Sequence, residues 1–148
     1  MDQPAPSTLV HPDAPPMLFL LSDGKTLAAF HHNKVPPRSS VDLSEKSETM
    51  KVRSEIWVST SNDAGHTWSE PRLVFANATQ PELKVGAWNY QCSYLDAFSD
   101  GGVLHLFLPH RWQQVLHLTI AESALGTLPT LAELSLATTT PKSPKAPR

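Results

Sequence analysis

Ser61-Asn62-Asp63-Ala64-Gly65-His66-Thr67-Trp68 spells out a turn together with the interactions that close it. The pattern S-x-D-x-G-x-T-W places the Asp63 carboxylate to accept hydrogen bonds from the amides that follow it. Gly65 supplies the positive φ of a hairpin, and Thr67 ties the turn back on itself. Trp68 then opens the next strand as a buried anchor. Working outward, residues 53–60 alternate by side and are rich in β-branched and aromatic types, which predicts a strand entering the turn. Residues 70–75 predict the strand that leaves it.

A second pattern extends this reading along the chain. Ser22-Asp23-Gly24-Lys25-Thr26-Leu27-Ala28-Ala29-Phe30 matches Ser99-Asp100-Gly101-Gly102-Val103-Leu104-His105-Leu106-Phe107, and each copy follows an apolar run and precedes a His-containing loop. Self-similarity at a fixed period is the signature of repeat architectures. The first unit is expected to have strands at 17–21, 26–31, 54–60 and 72–75. The second is expected to have them at 92–98, 103–108 and 115–120, with no fourth strand. Residues 1–14 read as an extended, Pro-rich lead-in. Residues 125–136 leave room for a short helix, and the Thr/Pro/Lys/Ser run at 138–148 reads as a disordered tail. Residues 34–50 read as a long polar loop.

The turn resembles the Asp box, or BNR repeat, of the sialidase (neuraminidase) superfamily, and the agreement continues into Ile56-Trp57-Val58-Ser59 and Trp68-Ser69-Glu70-Pro71. This resemblance implies an all-β fold, a partial β-propeller of about two four-stranded blades over residues 15–124. A closed sialidase-like propeller has about six blades of roughly 40–50 residues, so the chain is expected to be a piece of a longer protein. Unpartnered blade edges in such a piece favour self-association. Ser61, Asp63, Gly65, Thr67 and Trp68 are then structural, because Asp boxes sit on the face away from the sialidase active site.

Propeller topology implies where a ligand site lies. His31, His32, Asn33, the loop with Tyr90 and Gln91, and the loop with His110 and Arg111 share the face opposite the Asp box. The resemblance assigns catalysis to Tyr90 and Arg111, and substrate binding to His31, His32, Asn33, Gln91, His110 and Arg111. Arg111 fits a bidentate contact to a sugar carboxylate, or an ordinary ion pair with Glu55 or Asp96. Tyr90 fits the nucleophilic phenol of a sialidase, or packing at a strand start. The sialidase pattern is incomplete: Ala14 stands where the arginine of an Arg-Ile-Pro-like element belongs, and Cys92 stands where related repeats carry tyrosine. The implied activity is hydrolysis of terminal acidic sugars by an exo-sialidase-type enzyme of which this chain is an inactive part. The alternative is a non-catalytic BNR segment that binds glycan or protein.

Composition narrows the classes further. The formal net charge is −2, with no basic patch interleaved with aromatics, so nucleic-acid binding has no support. Adjacent histidines at a strand end point to opposite sides, which argues against a metal site, and no cofactor is implied. The single cysteine, Cys92, excludes an internal disulfide and reads as a small buried hydrophobe. The N-terminal stretch lacks the pattern of a signal peptide, and no apolar run is long enough for a membrane span, so the compartment defaults to the cytoplasm.

Overall fold

Strand propensity and turn chemistry produce two antiparallel sheets in the computed structural model, which describes residues 7, 9, 15–32, 55–76, 92, 94–110 and 114–138. The first sheet has the order β1 (Met17–Leu20), β2 (Leu27–His31), β3 (Glu55–Ser61) and β4 (Arg72–Ala76). The second has the order β5 (Asp96–Asp100), β6 (Val103–His110) and β7 (Gln114–Ala121). The chain is thus all-β in its main elements. A 3₁₀ segment (Glu122–Thr127) and a short helix, α1 (Leu131–Thr138), follow β7. Thr130 and Glu133 form a capping box at the start of α1, where the Thr130 amide donates to Glu133 Oε2 at 2.7 Å and the Glu133 amide to Thr130 Oγ1 at 3.3 Å.

Strand positions match the sequence pattern closely, with one large shift: β5 begins at Asp96 and not at residue 92. Tyr94 has φ of 69°, a left-handed value that an extended strand cannot contain. The first sheet also carries a bulge, since Ile56 pairs with Phe75 while Trp57 pairs with Leu73, leaving Val74 as an inserted residue.

The two Ser-Asp-Gly segments, alike in sequence, close different turns. In the first hairpin the Leu21 amide bonds the Thr26 carbonyl at 2.9 Å, so residues 22–25 form a four-residue loop. Asp23 closes it by accepting from the Lys25 and Thr26 amides at 2.9 and 2.8 Å. In the second hairpin Asp100 pairs with Val103, and Gly101 and Gly102, at φ of 56° and 79°, form a two-residue turn. The difference of two residues preserves side-chain parity along the strands.

The apolar faces meet in one core containing Ala28, Phe30, Ile56 and Val58 from the first sheet and Leu104, Leu106 and Leu108 from the second. Matching positions do not face each other. Phe30 and Ala28 point into this core, whereas their counterparts Phe107 and His105 lie on the far side of the second sheet. Leu104, Leu106 and Leu108 point in, whereas their counterparts Leu27, Ala29 and His31 lie on the far side of the first. The sheets therefore stack in the same sense, one repeat behind the other, and not across a two-fold axis. Cys92 is fully buried in the core, and burial, with the nearby Glu55 carboxylate adding to it, pushes its thiol pKa well up. Among the described residues, no helix is long and apolar enough to cross a membrane.

Candidate functional site

The two ends of the sheets differ in chemistry. At one end the turns form a polar latch built around Asp63. Its carboxylate accepts from the Thr67 hydroxyl at 2.6 Å, the Thr67 amide at 2.9 Å and the Ser61 hydroxyl at 2.7 Å. These bonds, from Thr67 first and then Ser61, lower its pKa to about 2. The Gly65 amide donates to Ser61 Oγ at 2.9 Å, and Gly65 has φ of 89°. Ala64 also takes a positive φ, 57°, which the residue pattern did not foretell. Thr60 and Ser69 close the hairpin, the Ser69 amide reaching the Thr60 carbonyl at 2.8 Å.

Trp68 is half-buried and precedes β4 without joining it, a correction to its reading as a buried strand anchor. Pro71 supplies no amide hydrogen, and pairing begins at Arg72. The indole lies over the turn, with Cζ2 3.4 Å from where a Cβ on Gly65 would stand. Its Nε1, although buried, has no hydrogen-bond partner among the described residues.

The latch extends across both repeats. The Thr26 hydroxyl lies 2.6 Å from Asp23 Oδ2 and 2.9 Å from Asn62 Oδ1, joining two turns of the first sheet. Glu122 bridges the sheets, accepting from the Ser22 amide at 3.0 Å and the Ser99 hydroxyl at 2.7 Å. Partial burial opposes ionisation of Glu122, but the bonds from Ser99 and Ser22 outweigh it and lower its pKa. Asp23, Thr26, Asn62 and Glu122 line an open cleft of about 390 Å³, where their polar side chains are engaged in holding the turns together.

At the opposite end a cleft of about 270 Å³ opens between the sheets. Pro15, Pro16 and Met17 approach it from the entry to β1, Phe30, His31 and His32 from the exit of β2, and Ile56 from β3. Tyr94 and Leu95, on the approach to β5, complete the lining. His31 and His32 are buried, at 2% and 6% exposure. His31 Nε2 lies 3.2 Å from Ser59 Oγ, and His32 Nδ1 donates to the Glu55 carbonyl at 2.9 Å. The two imidazoles are therefore held by different partners. Among the described residues, no group of three or more His, Cys, Asp or Glu side chains is arranged to hold a metal ion.

Of the site residues chosen from sequence, His31 and His32 come together at this cleft. His110 ends β6, pairing with Gln114. Asn33, Tyr90, Gln91 and Arg111 lie outside the described residues. Tyr94 was missed: it is 65% exposed, lines the cleft and has left-handed backbone geometry uncommon for an aromatic residue. A Tyr two residues before an Asp-initiated strand gives no motif signal, and only the φ value distinguishes it.

The His31 imidazole is turned to the far side of the sheet, toward Ser59, and the lining is mostly apolar, with His32 and the Tyr94 phenol as its polar side chains, a composition that suits binding of a small ring with polar substituents. No family model matches the chain, and no curated protein or solved structure matches it.

Proposed function

We propose that this chain is part of a sialidase-like propeller, two neighbouring blades whose shared cleft contributes to a binding site for a terminal acidic sugar. The supporting observation is the relation between the two ends: an Asp-box turn closes one, and the cleft with His31, His32 and Tyr94 opens at the other. Same-sense stacking of the two repeats agrees with adjacent blades. In this reading Arg111 supplies the guanidinium for the sugar carboxylate, His32 and His110 supply hydroxyl contacts, and Tyr94 offers a ring for stacking. The chain binds but does not hydrolyse by itself, because an acid and a nucleophile have to come from elsewhere in a complete propeller.

Ligand-observed NMR and calorimetry with N-acetylneuraminic acid, with a neutral monosaccharide as comparison, test this proposal. Arg111→Lys keeps the charge but loses the two-point contact, and is expected to weaken binding about tenfold, or roughly 1.4 kcal/mol. Tyr94→Phe should bind nearly as well as wild type if stacking is its role. Absence of binding by wild type, or equal affinity for the neutral sugar, would overturn the proposal. The second reading is a non-catalytic segment that binds glycan, favoured by the mostly apolar lining beside the exposed Tyr94 ring. An upstream reading frame with further Asp boxes and an Arg-Ile-Pro element would favour the hydrolase.

A further inference from the structure

Two histidines that the cleft does not use meet on the far side of the second sheet. His105 lies on β6 and His117 on β7. The register pairs His105 with Thr119 and His117 with Phe107, so the two imidazoles are diagonal neighbours on one face. His105 Nδ1 and His117 Nε2 are 3.0 Å apart, with ring centroids 5.2 Å apart and planes 16° from parallel. A ring nitrogen lies about 1.2 Å from its own centroid, so a contact of that length permits centroids at most about 5.4 Å apart. The observed separation is close to this limit. Each nitrogen therefore points almost straight at the other, and the two rings lie nearly in one plane.

Two phenyl rings close one side of this pair. Phe98, on β5, stacks on His105 with centroids 4.6 Å apart and planes 2° from parallel, and Phe107, on β6, stacks on His117 at 4.6 Å and 3°. Since the strand order is β5-β6-β7, both phenyls cover the β5 side of their imidazoles, and their own centroids are 6.0 Å apart. The axis between the two nitrogens is thus flanked by hydrocarbon on one side. On the other side lies β7, where His117 is exposed. Stacking fixes the planes of both imidazoles before anything binds, which lowers the ordering cost of using them as ligands.

We propose that the His105 and His117 imidazoles form a two-coordinate site for a monovalent d10 metal ion, Cu(I). Imidazole nitrogen is a ligand that suits copper. Among the described residues no third His, Cys, Asp or Glu side chain joins the pair, so the geometry on offer is two ligands in line. Nitrogens that face each other along one axis do not converge as the ligands of tetrahedral zinc do, and the phenyl rings deny one side to the waters that would complete a zinc or magnesium shell. Metal–nitrogen bonds of about 2 Å in line need nitrogens about 4 Å apart, so the rings separate by about 1 Å along the axis they already share. Without metal, the facing nitrogen of one ring carries a hydrogen and that of the other accepts it. On binding, the donor ring moves that hydrogen to its other nitrogen, both facing nitrogens present lone pairs, and no proton is released on balance. The single positive charge left beside two phenyl faces costs less to desolvate than the double charge of a divalent ion.

Titration of the full chain at neutral pH with Cu(I), kept reduced by ascorbate without oxygen, and with redox-inert Ag(I) tests the proposal. Side-chain ¹⁵N NMR and copper X-ray absorption are the readouts. The first equivalent is expected to shift His105 Nδ1 and His117 Nε2 together, and the copper spectrum to show two nitrogens in line at about 2 Å. His105→Gln and His117→Gln are each expected to weaken binding at least tenfold, because one imidazole cannot hold the ion by itself. His66→Gln, on the Asp63 turn, is expected to bind as wild type, and so is Cys92→Ser, which removes the chain's single thiol. Circular dichroism checks that each variant keeps its sheets. Histidine signals that do not move with the first equivalent overturn the proposal. So does unchanged affinity in either histidine variant, and so does loss of binding in Cys92→Ser, which would place the ion on the thiol. Zn(II) that shifts the same two nitrogens at the same concentration would also overturn it, since the pair would then be converging on a tetrahedral ion. None of these outcomes depends on sugar binding.

Discussion

Replacing Gly65 with Ala isolates the backbone requirement of the turn. Gly65 has φ of 89°, and a Cβ placed on it would meet Trp68 Cζ2 at 3.4 Å and Leu27 Cδ1 at 3.9 Å, both ordinary contacts. The cost is therefore almost wholly conformational, about 1–2 kcal/mol for an L-residue in the left-handed region. In a domain of this size that corresponds to a fall in Tm on the order of 5 °C. Ala64, already at φ of 57°, provides the opposite perturbation. Ala64→Gly relieves the same kind of strain while adding freedom to the unfolded chain, so the two effects largely cancel, to within about 0.5 kcal/mol. Gly24→Ala serves as a second comparison, since its φ is 66° and a Cβ there would meet nothing within 4 Å. Thermal and urea unfolding of the three variants should give similar losses for Gly65→Ala and Gly24→Ala, and almost none for Ala64→Gly. If Gly65→Ala melts with wild type, the turn does not need its left-handed geometry and the account of the Asp63 turn fails. If Gly65→Ala loses much more than Gly24→Ala, the Trp68 contact is tighter than ordinary packing.

Asp63 should make stability pH-dependent in a defined direction. Its folded pKa, about 2, lies below the unfolded value of 3.8. Its contribution is therefore complete above the unfolded pKa and is lost as pH falls through that value toward the folded one. Urea unfolding from about pH 5 to pH 2 should show this loss, and Asp63→Asn should remove that part of the slope; an unchanged slope would mean that the Thr67 and Ser61 bonds do not hold the ionised form. Leu106→Ala empties a fully buried site between the sheets and should cost about 2–5 kcal/mol, whereas exposed Val115→Ala should change the monomer's stability by less than about 0.5 kcal/mol. Equal effects in denaturant titrations would contradict the assignment of core and free face.

Much of the local structure was legible because it is written in short-range chemistry. The Asp63, Gly65 and Thr67 interactions span at most four residues, and the alternation in residues 53–60 and 103–108 follows from the two-residue period of a strand. The short helix was expected only as room within residues 125–136, and the Thr130–Glu133 capping pair that starts it was not read from the sequence. The left-handed Ala64 and Tyr94 were not legible, since neither residue type announces positive φ, and the shifted start of β5 follows from Tyr94.

The sequence alone determined that the chain forms antiparallel hairpins, where the Asp63 turn closes, and that two segments repeat, because those properties depend on neighbours along the chain. Only the tertiary structure decided which face of each hairpin is buried. Parity along a strand separates two faces but does not say which one meets a partner, and that choice was made when Ala28 and Phe30 packed against Leu104, Leu106 and Leu108. The same packing brought Ser22 and Ser99 to one carboxylate, Glu122, and brought His31, His32 and Tyr94 to one cleft. Contacts between residues 60 or more positions apart depend on how sheets stack, and no local pattern encodes that distance.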